Sequence, residues 1–123
     1  AVLDWELATI GDPLADFTYF AMHWILPRDG KACLAGINFR ELGLPTLNQI
    51  IDRYCTQTGR DSLPDLHWYF AYNLFRLVGI SQGIKKRYAE GNASSSEAVQ
   101  AIEKIIPLAQ TAWSEARKAG ARA

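Results

Sequence analysis

The sequence predicts a mainly α-helical domain of four to five helices with a short, vestigial strand at its N-terminus. Apolar residues recur at spacings of three and four through most of the chain after Pro13, which is the period of a helix. A strand-like apolar run occurs only at residues 1–5. Since 49% of the 123 residues are apolar, we expect residues 1–123 to share one buried core.

Charge and cysteine content restrict the class of protein. The thirteen basic and thirteen acidic side chains cancel, which argues against a nucleic-acid binder or a protein of the membrane surface. Cys33 and Cys55 lack the spacing of a zinc site or a disulfide framework. With no signal peptide and no apolar run long enough to cross a bilayer, the sequence favours a cytoplasmic protein.

The first helix has clear start and stop signals. Asp12 can accept backbone N–H bonds as the N-cap, and Pro13 suits the first helical position. We expect this helix to run from Pro13 to about Leu26, where Pro27 would end it.

A connecting loop and a second helix follow. Residues 28–45 contain glycine and proline without sustained periodicity, which predicts a loop with one short turn at 39–42. Thr46 and Gln49 have the spacing of a capping box, and Gly59 marks the end of the helix that they begin.

The remaining sequence predicts a long aromatic helix and a divided last helix. Either Asp65 or Ser62 could cap the aromatic helix, which should run to about Glu90 through the centre of the helical layer. A second capping box, formed by Ser94 and Glu97, begins the last helix, which continues to about Lys118 after a kink or break at Pro107.

Two carboxylates at the N-terminus form the first candidate site. Asp4 and Glu6 would point to the same side of a strand, and paired carboxylates suit Mg²⁺ when phosphates complete its coordination. On spacing alone, the solvated end of a strand is the commoner explanation. Asp12 is explained by its role as a helix cap.

The continuation of this stretch favours the metal site. VLDWE at residues 2–6 and GDPLAD at residues 11–16 resemble the aminoglycoside phosphotransferase and choline kinase-like family. The resemblance extends to residue 88, is strongest in the first quarter of the chain, and is to a branch that includes domains joined to acyl-CoA dehydrogenases. It implies the helical C-lobe of a protein kinase-like fold.

The resemblance also implies roles for the acidic residues. Asp4 matches the aspartate that binds the magnesium bridging the nucleotide phosphates, and Glu6 is a possible second metal or substrate contact. Asp16 matches an aspartate that supports the catalytic loop. The implied activity is transfer of the γ-phosphoryl group of ATP or GTP to a hydroxyl of a small molecule.

Several parts of such an enzyme are not found in the sequence. It contains no glycine-rich phosphate loop, no strand lysine with a helix glutamate partner and no H-x-D-x-x-x-x-N catalytic loop. We therefore expect a fragment that lacks the N-lobe and is inactive by itself, with the catalytic base upstream of residue 1.

Four further residues are candidates for substrate binding. His23 and Trp24 end the first helix near the loop where related enzymes bring substrate close, although a structural histidine is the commoner case. Asn73 and Arg76 lie one turn apart on the aromatic helix and could line the pocket or bond to a neighbouring loop.

A second hypothesis is a non-catalytic helical module for binding or self-assembly. It rests on the missing nucleotide lobe and on the aromatic helix. Surface that would pack on the absent segments would be left apolar and should drive formation of a homo-oligomer. Neither hypothesis identifies the phosphate acceptor.

Overall fold

The computed structural model describes residues 9–26, 33–92 and 96–122. Within these ranges the predicted mainly helical class is confirmed, and the strand expected at residues 1–5 lies outside them. No helix in the described part is long and apolar enough to span a membrane. The elements in chain order are α1 (Pro13–Ala21), a 3-10 turn (Met22–Trp24), α2 (Leu47–Thr58), α3 (Leu66–Ala89), α4 (Ser96–Glu103) and α5 (Ile105–Lys118).

Helix α1 begins as predicted but is shorter than expected. Asp12 caps it through a hydrogen bond from the Leu14 amide to Asp12 Oδ1 at 2.9 Å. The expectation that the α-helix continues to Leu26 is wrong. The Ile25 amide donates to the carbonyl of Met22, three residues earlier, at 3.0 Å, so the chain tightens into 3-10 geometry after Ala21.

Helix α2 confirms its predicted capping box and its predicted end. The Gln49 amide donates to Thr46 Oγ1 at 3.3 Å, and the Thr46 amide donates to Gln49 Oε1 at 2.8 Å. Gly59 follows the helix with φ 67°, a conformation that glycine adopts without a steric penalty. Before α2, residues 39–43 form the expected turn, in which the Leu44 amide donates to the Phe39 carbonyl at 2.9 Å.

Helix α3 lies at the centre of the fold and contacts α1, α4 and α5. Asp65, one of the two predicted caps, occupies the N-cap position, but it has φ 55° and its side chain makes no hydrogen bond to the helix. Phe70 and Leu74 are buried in the core, where they join side chains of α1, the 3-10 turn and α5. The same helix also has exposed aromatic rings, so only part of its circumference is covered within the described residues.

The last two helices divide at Lys104 rather than at Pro107. Pro107 lies in the first turn of α5, where backbone N–H groups have no partner within the helix, so a proline is tolerated there. The predicted end at Lys118 is confirmed. The capping box of Ser94 and Glu97 cannot be compared, because Ser94 and the side chain of Glu97 lie outside the described residues.

Candidate functional site

The predicted acidic site is divided between described and undescribed residues. Asp4 and Glu6 lie outside the described ranges. Asp16 lies in the first turn of α1, and its side chain is exposed. Within residues 9–26, 33–92 and 96–122, no group of three or more histidine, cysteine or acidic side chains could hold a metal ion. The magnesium assignment therefore depends on Asp4 and Glu6.

The start of α1 is bound to α3 through Asp12. While Asp12 Oδ1 accepts from Leu14, Asp12 Oδ2 accepts a hydrogen bond from the Tyr69 hydroxyl. The Tyr69 bond, followed by the Leu14 bond, lowers the pKa of Asp12 below its ordinary value of 3.8. The same bond raises the pKa of Tyr69 above 10.0, because it requires the protonated phenol.

Asn73 makes the next contact between the two helices and is fully buried. Its side-chain amide donates to the Ala15 carbonyl at 2.9 Å and to Thr18 Oγ1 at 3.0 Å. Thr18 in turn donates to the Leu14 carbonyl at 2.6 Å. Because the two partners of Asn73 act as acceptors here, the amide orientation is fixed, and Asn73 Oδ1 has no partner.

Arg76 completes a line of contacts along α1. Its guanidinium carbon lies 5.1 Å from the centre of the Tyr19 ring, within the range of a cation–π interaction. We call the contacts of Tyr69, Asn73 and Arg76 with α1 the α1–α3 seam. Successive seam residues meet successive turns of α1, so the two helices run parallel along it. Asn73 and Arg76 thus contact helix α1, whereas the structural alternative expected bonds to a neighbouring loop.

The other two predicted substrate contacts lie at the opposite end of α1. His23 Nδ1 is 2.8 Å from the Phe20 carbonyl, so Nδ1 carries a hydrogen and Nε2 is the acceptor in the neutral ring. Trp24 Nε1 donates to the Pro45 carbonyl at 2.8 Å and thereby binds the loop before α2. No described hydrogen bond or ring contact joins His23 or Trp24 to the α1–α3 seam.

Sequence reasoning missed a buried acidic residue between α3 and α5. Glu115 is 3% exposed and accepts from His67 Nδ1 at 2.7 Å and from Lys118 Nζ at 2.5 Å. A signal was present, since Glu115 continues the helical spacing of the buried Ile105 and Ala112. The contacts connect the beginning of α3 to the end of α5.

An apolar groove of about 840 Å³ lies between α3 and α5. Trp68 and Tyr72 stack along one wall with ring planes 1° apart, and Trp113 lies on α5. We call it the α3–α5 groove. Phe75, also in its lining, is 73% exposed. Alanine side chains of α5 supply much of the remaining lining, which makes room for a large apolar surface beside the aromatic rings.

Known proteins resemble the chain over nearly its whole length. Acyl-CoA dehydrogenase family member 11 of Rattus norvegicus is 36% identical over 120 residues, and family member 10 of Mus musculus is 38% identical over 125 residues. These alignments cover 96% and 99% of the chain but only 15% and 12% of the relatives. The dehydrogenase names describe those longer proteins.

A solved structure resembles the fold closely. The crystal structure of "a putative aminoglycoside phosphotransferase" from Ralstonia eutropha matches with a TM-score of 0.88 and 40% sequence identity. The match covers 96% of this chain and 36% of that one. No family model matches the sequence. The sequence and the fold agree on the relationship, and the chain belongs to the aminoglycoside phosphotransferase-like, kinase-like family, in which it forms the helical C-lobe.

Proposed function

We propose that the protein containing this sequence transfers the γ-phosphoryl group of ATP or GTP to a hydroxyl of a small molecule in a Mg²⁺-dependent reaction. The observation that carries the proposal is the 40% identity and the TM-score of 0.88 to a phosphotransferase-like structure across 96% of the chain. At this identity the relationship extends beyond fold alone. The VLDWE and GDPLAD motifs support the same activity.

Asp4 and Glu6 are the proposed metal ligands. Their oxygen donors match the preference of Mg²⁺, which would neutralise charge on the nucleotide phosphates. In the proposed reaction the acceptor oxygen bonds to the γ-phosphorus as the bond to the leaving nucleoside diphosphate breaks. The acceptor proton passes to a base that we place outside these 123 residues. The chain alone is therefore proposed to be inactive.

The remaining candidates have supporting roles in this proposal. We propose that Asp16, which is exposed in the first turn of α1, supports a catalytic loop, as the GDPLAD motif implies. His23 and Trp24 are proposed substrate contacts, and Nε2 of neutral His23, which has no hydrogen-bond partner among the described residues, supplies an acceptor for a substrate hydroxyl. For Asn73 and Arg76 the contacts of the α1–α3 seam favour a structural role over a direct substrate contact.

The test uses the complete polypeptide that carries this sequence. Transfer from ATP and from GTP is measured against a panel of hydroxylated small molecules, with and without Mg²⁺. Asp4→Ala should lower turnover by about a thousandfold or more while circular dichroism stays unchanged, since charge on the transferred phosphoryl group would lose its metal. Asp52→Ala changes an exposed carboxylate on α2 and should leave turnover unchanged. Normal turnover in Asp4→Ala would overturn the metal assignment.

The α3–α5 groove supports a second candidate function, a helical module that binds a partner or a second copy of itself. Its open aromatic rings form the kind of contiguous apolar surface that marks interaction sites. Light scattering of the 123-residue chain tests self-association. A dimer that Phe75→Ser converts to a monomer would support this function. A monomer at high concentration would count against self-assembly.

A further inference from the structure

The lining of the α3–α5 groove carries no charged side chain and is largely open to water. Its aromatic side chains are between 44% and 73% exposed: Trp68, Tyr72, Phe75 and Trp113. The rest of the lining consists of alanine, valine and glycine residues. Soluble proteins rarely expose a contiguous apolar surface of this kind unless it is an interaction site. The groove therefore suits an uncharged, apolar occupant.

The groove also has dimensions that suit a helix. On α3 its lining extends from Trp68 to Val78, which is about 15 Å at 1.5 Å per residue. On α5 the lining includes Ala109, Ala112 and Ala116, whose spacing of three and four places them on one side of the helix. Because alanine side chains are short, another helix could approach α5 to an axial distance of about 8–10 Å. A helix with bulky apolar side chains would complement these alanines.

We infer that, in the complete polypeptide, an apolar helix from outside these 123 residues packs in the α3–α5 groove. The groove would then be an interface inside the kinase-like domain, between this helical lobe and the rest of the same chain. This inference goes beyond the proposed phosphoryl transfer and does not depend on it. Neither does it depend on the assignment of metal ligands.

The length of the related structure favours a segment of the same polypeptide over a second copy. The match covers 96% of this chain but only 36% of that one, so nearly two thirds of the related chain lies outside the shared lobe. A segment joined covalently to the lobe has an effective concentration on the order of 1 mM when its linker spans the distance. Such a segment would occupy an apolar groove before a separate molecule at a lower concentration could.

The position of α3 supports the same occupant. This helix contacts α1 on one side and buries Phe70 and Leu74 in the core on another, and the groove is its remaining open apolar side. A helix that is apolar on several sides is typical of an element enclosed by the protein. A helix in the groove would complete this enclosure along the first half of α3. The second half would keep its exposed Lys85 and Lys86 in water.

Photo-cross-linking of the complete polypeptide tests what covers the groove. The photoreactive residue p-benzoylphenylalanine replaces Phe75 on α3 in one variant and Trp113 on α5 in a second, so that the test survives if one variant fails to fold. Gln110, which is exposed on α5 and does not line the groove, is the matched control position. Gel mobility separates monomers from covalent dimers, and mass spectrometry identifies the joined peptides.

We expect both groove variants to form cross-links within one polypeptide, to the same apolar segment outside residues 1–123. Their yield should be at least about tenfold higher than that of the Gln110 variant, because only the groove positions would have side chains of that segment in contact. The far-ultraviolet circular dichroism of a variant that carries the test should match the wild type.

Four results would overturn the inference. Covalent dimers in place of cross-linked monomers would assign the groove to a second copy and support the self-assembly function instead. Cross-links confined to residues 1–123 would show that this lobe covers its own groove. Absence of cross-links from the groove positions would mean that the groove is open in the complete polypeptide. Equal yields at the groove positions and at Gln110 would show that the contact is not specific to the groove.

Discussion

Helix α3 has two contrasting sides. Towards α1 it presents Tyr69, Asn73 and Arg76, each of which has a specific partner. Towards the α3–α5 groove it presents Trp68, Tyr72 and Phe75, whose rings stay partly open to solvent. The first side fixes the relative position of two helices through directional bonds. The second side is covered only in part, so its exposed apolar surface is available for further contacts.

The difference shows how one helix can fix the register of a neighbouring helix on one side and tolerate substitutions on the other. Directional bonds specify one register, because a shift of one turn would leave buried donors unpaired. Apolar contacts beside an open groove are non-directional and lose little when one ring changes. The substitutions below test this distinction, from the largest expected effect to the smallest.

Phe70→Ala and Phe75→Ala compare a covered and an open position on α3. Phe70 is 1% exposed and Phe75 is 73% exposed. We expect Phe70→Ala to lower the free energy of unfolding by about 3–5 kcal/mol and Phe75→Ala by about 0.5 kcal/mol or less. Urea unfolding of the chain measures both. Equal losses would mean that the groove side is covered in solution.

Asn73→Asp tests the polar centre of the α1–α3 seam. A carboxylate there cannot donate to the Ala15 carbonyl or to Thr18 and would be a buried, unpaired charge. We expect a loss of about 3 kcal/mol or more at neutral pH, reduced in acid because the protonated acid can donate one bond. Asn48→Asp, on an exposed position of α2, is the control and should be nearly neutral. An Asn73→Asp variant with the same free energy of unfolding as the wild type would contradict the role of Asn73 in the α1–α3 seam.

Glu115→Gln tests the polar contact on the other side of α3. It weakens the bonds to His67 and Lys118, both of which keep access to water. We therefore expect a smaller loss in the free energy of unfolding, of about 1–3 kcal/mol. Glu103→Gln, at an exposed position of α4, should change stability little. If Glu115→Gln lowered the free energy of unfolding more than Asn73→Asp, the side of α3 with the more stabilising directional bonds would be the one that faces α5.

Tyr69→Phe has a pH dependence that follows from the two pKa shifts. The pKa of Asp12 is lowered in the folded chain, so its stabilisation is present above 3.8 and lost as pH falls through the lowered value. The pKa of Tyr69 is raised, so its stabilisation is present below 10.0 and lost as pH rises through the raised value. The melting-temperature difference between wild type and Tyr69→Phe should be constant between these limits and shrink outside them. A melting-temperature difference that varies across neutral pH would contradict the assignment of the effect to the Tyr69–Asp12 hydrogen bond.

Local signals predicted much of the fold. Asp12, the pair Thr46 and Gln49, and Gly59 act within a few residues of their own positions, so their types and spacing were sufficient. The sequence indicated Asp65 as a possible cap but not the absence of a side-chain capping bond, and it placed the division of the last helix at Pro107 rather than at Lys104. At such positions intrinsic propensity is a weak guide, because tertiary context routinely overrides it.

The candidate site was less accessible to sequence reasoning. Motif resemblance assigned Asp4, Glu6 and Asp16, but the partnership of Tyr69 with Asp12 joins residues 57 positions apart and has no local signal. Asn73 was recognised as a buried polar residue, while its bonds to α1 required the structure. Glu115 was overlooked because a charged residue was not expected in a buried stripe, although its spacing fitted one.

The two sides of α3 also have a consequence for the kinetics of folding. The Tyr69–Asp12 bond joins residues 57 apart, and the His67–Glu115 bond joins residues 48 apart. Because the entropy of loop closure varies with the logarithm of loop length, this difference amounts to only about 0.2 kcal/mol. Chain length therefore gives neither contact an advantage in the order of assembly, and both require α3 as their template.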